Sequence, residues 1–132
     1  MSETENRRLF SPFAELIGLR FTELNGGESC CELDATESLF NTNGILHGGV
    51  AYSMADTGMG AALFAGLEKG QNCATIEIKI VYLRPVTSGH LVCRTKVIQQ
   101  GRRIAVLESE VKNDGRLVAK ALGTFAIIEK KQ

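Results

Sequence analysis

Residues 48–67 (GGVAYSMADTGMGAALFAGL) contain no proline and run too long for a strand. They predict one helix of nearly six turns, about 30 Å long. Apolar or small residues occupy every side of it, interrupted chiefly by Ser53, Asp56 and Thr57. Such a helix must be wrapped by other structure. A bilayer would also wrap it, but Asp56 sits at mid-helix and the rest of the chain is strand-like, which argues against a membrane span.

What wraps the helix is read from alternation. Ser11 and Pro12 supply an N-cap and a first helical position for a short helix to about Ile17. Residues 17–24 (IGLRFTEL) alternate loosely, turn at Asn25, Gly26 and Gly27, and alternate again through ESCCELDA, as a hairpin would. Four more alternating runs follow the helix, at 73–83, 90–99, 102–113 and 116–128. Residues 85–89, Gly101, and the Asn113, Asp114, Gly115 turn separate them, so the last three form an antiparallel meander. In 132 residues only an antiparallel sheet curled around the helix can hide it. The expected architecture is α+β, a single domain over 1–132 with its core at about 10–128 and a short loose tail at each end.

Fifteen Lys and Arg balance fifteen Asp and Glu, which argues against the electropositive surface that nucleic acid requires. The N-terminus MSETENRRLF places charges where a secretory segment needs an apolar run, so a cytoplasmic protein is expected. Cys30, Cys31, Cys73 and Cys93 read as free thiols in a chain able to build its own core. No metal-ligand spacing accompanies them. His90, at a strand start with no evident partner, reads as surface.

The chemistry concentrates ahead of the helix, in Asn41-Thr42-Asn43-Gly44-Ile45-Leu46-His47-Gly48-Gly49, with Asp56 nine residues beyond the histidine. Glycines that open a helix leave backbone N–H groups unshielded at its positive end, where they can hold a carbonyl oxygen that becomes negative during acyl transfer. The alternative is that Gly48 and Gly49 only permit a tight turn or close packing. Asp56, among Met54, Ala55 and Met59, would bear a desolvation cost unless it had a catalytic purpose or a hydrogen-bonded structural one. Seven residues separate Gly49 from Asp56, about 10 Å along a helix, whereas a base must stand within about 3 Å of the atom it serves. The site therefore belongs between subunits, with Gly48 and Gly49 from one protomer and Asp56 from the other.

Here the chain resembles the hotdog-fold thioesterases of the phenylacetic-acid-pathway (PaaI-like) type. The resemblance rests on the Asn-x-x-Gly-x-x-His-Gly-Gly stretch and Asp56, the Thr75 strand, the Tyr82-Leu83-Arg84-Pro85 turn and the Gln100-Gly101-Arg102 turn, over about residues 10–128. It implies an acyl-CoA thioesterase in which Asp56 is general base or nucleophile. By the same resemblance His47 holds the loop and the Asn41 side chain, and Asn41 orients water or thioester. Thr75 would stand near the attacking water, or serve only β-propensity. Tyr82, Leu83, Arg84, Gln100, Gly101, Arg102 and Arg103 would flank the groove taking coenzyme A, whose phosphates suit guanidinium groups. A homodimer, assembled into a dimer of dimers, is implied, with no metal or redox cofactor and with aromatic or medium-chain acyl groups as substrates. The competing functions are a non-catalytic acyl-CoA binder and an enoyl-thioester hydratase. The hydratase needs a histidine–carboxylate dyad, whereas His47 and Asp56 stand about 13 Å apart along the helix. Gly58, Gly60, Ala61 and Ala62 either leave room for an acyl chain or permit close packing.

Overall fold

In the computed structural model, which describes residues 11–129, Ser11 Oγ accepts the Ala14 amide at 3.0 Å and Pro12 opens helix α1 (Pro12–Ile17). Gly18, at φ 76°, closes that helix in the left-handed conformation that glycine adopts without a Cβ clash. The tails expected at 1–10 and 130–132 lie outside the described residues. Strands β1 (Arg20–Asn25) and β2 (Glu28–Asp34) form the expected hairpin. A loop with one 3-10 turn, Glu37–Leu39, then leads to α2 (Gly48–Ala65). After it come β3 (Gln71–Tyr82), β4 (His90–Gln100), β5 (Ile104–Asn113) and β6 (Arg116–Glu129).

The six strands form one antiparallel sheet in the order β1-β2-β4-β5-β6-β3. The β4-β5-β6 meander is as expected. β3 does not lie beside β4, its neighbour in sequence, but at the far edge against β6, so α2 carries the chain from one side of the sheet to the other. β5 begins at Ile104 because residues 101–103 make the turn, closed by the Gly101 amide on the Ile104 carbonyl at 2.8 Å.

α2 packs on one face of this sheet. Leu33, Met54, Leu91 and Val111 are fully buried around its first half, and Met59, Leu63, Leu107 and Phe125 around its second. Burying each such side chain contributes about 1.5–3 kcal/mol. The approach is close: a Cβ on Gly123 would stand 2.5 Å from Met59 Sδ. Gly58, Ala61 and Ala62 are buried, and a Cβ on Gly58 would meet Thr95 Oγ1 at 3.0 Å, so at these positions small residues serve packing. The four cysteines are free, with Cys31 and Cys93 buried side by side on β2 and β4.

One expectation is only half met. The sheet covers α2 from one side, and Gly49, Ser53, Asp56, Gly60 and Phe64 form a stripe at helical spacing that stays partly or largely open in the single chain. Covering ends there because β3 is the last strand and is itself mostly exposed. No helix among the described residues is long and apolar enough to cross a membrane.

Candidate active site

Asp56 lies on the open stripe, half-buried rather than enclosed as the apolar sequence around it suggests. Thr75 of β3 donates its hydroxyl to Asp56 Oδ1 at 2.7 Å. β3 bulges immediately afterwards, between Thr75 and Glu77, which turns Ile76 outward at 54% exposure. Among the described residues the carboxylate is thus oriented by one side chain, and its remaining lone pairs are left for other partners. Cys73, two positions earlier on the same strand, points its sulfur at the Gly60 carbonyl, 3.7 Å away. Burial first, and then the Asp56 charge, push its thiol up, which favours the protonated form.

The donor half is built at the start of α2. His47 is the N-cap residue, with φ −59° and ψ 132°, and its Nδ1 accepts the Gly49 amide at 2.8 Å. A ring nitrogen that accepts carries no proton, so neutral His47 bears its hydrogen on Nε2. This bond ties His47 to the first turn of α2, and no bond between His47 and the Asn41 side chain is present among the described residues. Asn41 is occupied locally: its Oδ1 accepts the amides of Asn43 at 2.8 Å and Ile45 at 3.2 Å, fixing the loop that delivers His47. Of the two nominated amides, that of Gly49 is engaged, and that of Gly48 has no hydrogen-bond partner among the described residues. Both positions are also tightly packed. A Cβ on Gly48 would meet the Tyr82 ring at 3.1 Å, and one on Gly49 would meet His47 Nδ1 at 2.9 Å.

Two contacts here escaped sequence reasoning. Ser53 Oγ donates to the Gly49 carbonyl at 2.7 Å, for which the only signal is the four-residue spacing. The Tyr82 hydroxyl donates to the Gly48 carbonyl at 2.6 Å, which no local pattern announces. Apolar cavities flank His47. One of about 300 Å³ is lined by Gly48, Ala51, Tyr82, Leu83 and Val86. The other, about 380 Å³, is lined by Phe13, Leu39, Phe40 and Val50.

The nominated residues are spread over the length of α2. Gly48 and Asp56 stand about 12 Å apart along α2. Arg84 donates to the Leu117 carbonyl at 2.9 Å, while the Arg103 carbonyl accepts the Ile127 amide at 2.8 Å. Leu117 and Ile127 are ten residues apart on β6, about 33 Å along a strand. Tyr82, Leu83 and Arg84 therefore lie near the start of α2, and Gln100, Gly101, Arg102 and Arg103 toward its end. Within one chain they do not flank one groove, because the β4–β5 turn and the exit of β3 occupy opposite ends of the sheet. A charged groove lined from β1, β2, β4 and β5 holds Arg94 and Lys96, which are paired to Glu23 at 2.9 Å and Glu108 at 3.3 Å.

The sequence profile of the thioesterase superfamily matches residues 43–120, which include His47, Gly48, Asp56 and Thr75. The chain is 36% identical over 112 residues to SSO1253 of Saccharolobus solfataricus, a candidate esterase, covering 84% of this chain and 74% of that one. Among solved structures, the conserved protein PA5202 of Pseudomonas aeruginosa superposes with a TM-score of 0.88 at 34% identity, over 97% of this chain and 100% of that one. A point mutant of the phenylacetic acid degradation protein PaaI from Thermus thermophilus superposes with a TM-score of 0.82 at 27% identity, over 88% and 98%.

Proposed function

The chain belongs to the thioesterase superfamily, and we propose that it hydrolyses acyl-CoA thioesters to a carboxylic acid and coenzyme A at a site completed by a second copy. The observation that carries this reading is the Asp56–Thr75 pair: a carboxylate oriented by one 2.7 Å hydrogen bond and otherwise left open. As general base, Asp56 takes a proton from water as the water oxygen bonds to the thioester carbon. The carbonyl oxygen, now negative, receives the Gly48 amide and the His47 Nε2–H. The C–S bond then breaks, and the departing sulfur takes the proton that Asp56 holds. As nucleophile, Asp56 would instead bond to the thioester carbon and expel coenzyme A as a thiolate that takes a proton from solvent, and water would then cleave the mixed anhydride to the acid and restore the carboxylate.

The 12 Å separation of Gly48 from Asp56 supports the two-copy site, since one water cannot reach both groups in one chain. The open stripe of α2 and the β3 edge, which is unpaired among the described residues and exposes Ile76 and Val81, lie on the side where a second copy would join. A twofold axis at that edge would set each Asp56 toward the other copy's helix start, and Arg102 and Arg103 of one copy toward Arg84 of the other. The apolar cavities beside His47 suit an aromatic or medium-chain acyl group.

The primary test is thiol release from a panel of acyl-CoAs. Turnover supports the enzyme, and tight binding without turnover makes the protein an acyl-CoA binder. The shared site is tested by refolding Asp56→Asn together with Gly48→Pro, which removes the free amide while the Tyr82 ring yields slightly. Each parent is expected to be nearly inactive. Random pairing should restore about one quarter of wild-type activity per protomer, because half of the dimers hold one intact site of two. Mass-confirmed heterodimers that stay at the parental level would place Gly48 and Asp56 in separate functions.

A further inference from the structure

Tyr82 ends β3 with its hydroxyl donating to the Gly48 carbonyl at 2.6 Å. That carbonyl belongs to the same peptide unit as the Gly49 N–H, which in turn donates to His47 Nδ1 at 2.8 Å. Phenol, peptide and imidazole therefore lie in series. A hydrogen bond into a peptide oxygen draws electron density from its nitrogen and strengthens the N–H as a donor. A stronger bond into Nδ1 likewise draws density from the imidazole, and the hydrogen on Nε2 becomes the better donor.

We propose that Tyr82 is a positioning residue that fixes the Gly48–Gly49 peptide and, through it, sharpens His47 Nε2–H as a donor to the developing oxyanion. The inference rests on the reading of the helix start as the oxyanion-binding half of a thioesterase site. It changes the part assigned to Tyr82: its hydroxyl is turned onto the backbone instead of being offered to coenzyme A. Gly48 is the complement of this contact. Any larger residue there would place its Cβ 3.1 Å from both Tyr82 Cζ and the phenolic oxygen and push the hydroxyl away. Burial first, and then the neighbouring Tyr52, raise the Tyr82 phenol, so it remains a donor across the neutral range.

Tyr82→Phe keeps the ring against Gly48 and removes the donor. The expected result is a fall in kcat of about 3- to 10-fold, the size of one hydrogen bond, with KM changed by less than about twofold. The backbone 15N–1H resonance of Gly49 in the free protein should move upfield, a readout that a bystander hydroxyl would leave in place and that needs no turnover. Tyr82→Leu, which also lacks the donor, should shift the resonance in the same direction. A Gly49 resonance unchanged in both folded variants overturns the proposal. So does a raised KM at unchanged kcat, which would return Tyr82 to substrate contact. A wild type that releases no thiol from any acyl-CoA defeats the thioesterase reading itself, while the resonance still decides whether the phenol, peptide and imidazole are coupled.

Discussion

Along the flank of α2 that meets β2, β4 and β5, polar side chains are buried and used up. Ser29 donates to the Gly58 carbonyl at 2.7 Å, and Thr95 and Ser109 share a 2.6 Å bond. Along the flank that meets β3, Asp56 receives one bond from Thr75 and keeps the rest of its capacity open. The two flanks belong to one helix, and Gly58 and Asp56, which mark them, stand about 200° apart around its axis. Buried hydroxyls that satisfy one another stabilise and locate the helix, because an unmatched one would cost about 1–3 kcal/mol. A carboxylate oriented but unsatisfied, at the margin of the sheet, is available for chemistry. The structural polar groups are those the sheet covers, and the candidate catalytic group is the one it leaves uncovered.

The largest expected effect lies on the open flank. Asp56→Asn retains an oxygen to accept from Thr75, so Tm should hold within about 2 °C while kcat falls by roughly two to four orders of magnitude. A folded variant that keeps more than about a third of wild-type kcat would show that this carboxylate is not catalytic. On the covered flank the expectation reverses. Thr95→Val leaves the fully buried Ser109 hydroxyl without its partner, at a cost of about 1–3 kcal/mol and a Tm lower by roughly 3–12 °C. Thiol release per folded molecule should stay within about twofold of wild type. Adding Ser109→Ala should cost less than the sum of the two single changes, because the orphaned hydroxyl is then gone. A large kcat loss in Thr95→Val would mean that the flanks are not separable.

The smallest effect belongs to the outer sheet face, away from both flanks. His90 Nδ1 stands 2.8 Å from Asp34 and Nε2 stands 3.2 Å from Glu32, which also meets Arg20 at 3.1 Å. Asp34 and then Glu32 raise the imidazole, and His90 lowers the Asp34 carboxyl. The raised imidazole stabilises the fold fully below its unfolded value of about 6.5 and loses that contribution as pH climbs through the folded value. The lowered carboxyl contributes above its unfolded value of about 3.9 and loses that as pH falls through its folded value. His90→Gln should therefore lower Tm near pH 5.5 by at most about 3 °C, exposed pairs being weak, and the difference should fade in alkali. A variant that lost most of its stability at pH 5.5 would show this face to be as structural as the covered flank.

Much of this was legible in the chain itself. A proline-free apolar stretch too long for a strand, runs alternating with a 2-residue period, and turns at Asn25 to Gly27 and Asn113 to Gly115 are local signals. They determined the elements, the α+β class, the hairpin and the meander. The His47-Gly48-Gly49 stretch and Asp56 named the candidate chemistry, and helix rise alone put its two halves out of reach of each other. Other features depended on which segments meet across the fold. β3 could close the sheet beside β4 or beside β6 with the same alternation, and only the route of α2 over the sheet chose β6. That choice left the Asp56 flank open, brought Thr75 to Asp56, set Tyr82 on Gly48, and sent Arg84 and Arg103 to opposite ends. A sequence carries the period of each element, but hydrogen-bond partners tens of residues apart are decided by packing geometry, where one strand's position changes every neighbour.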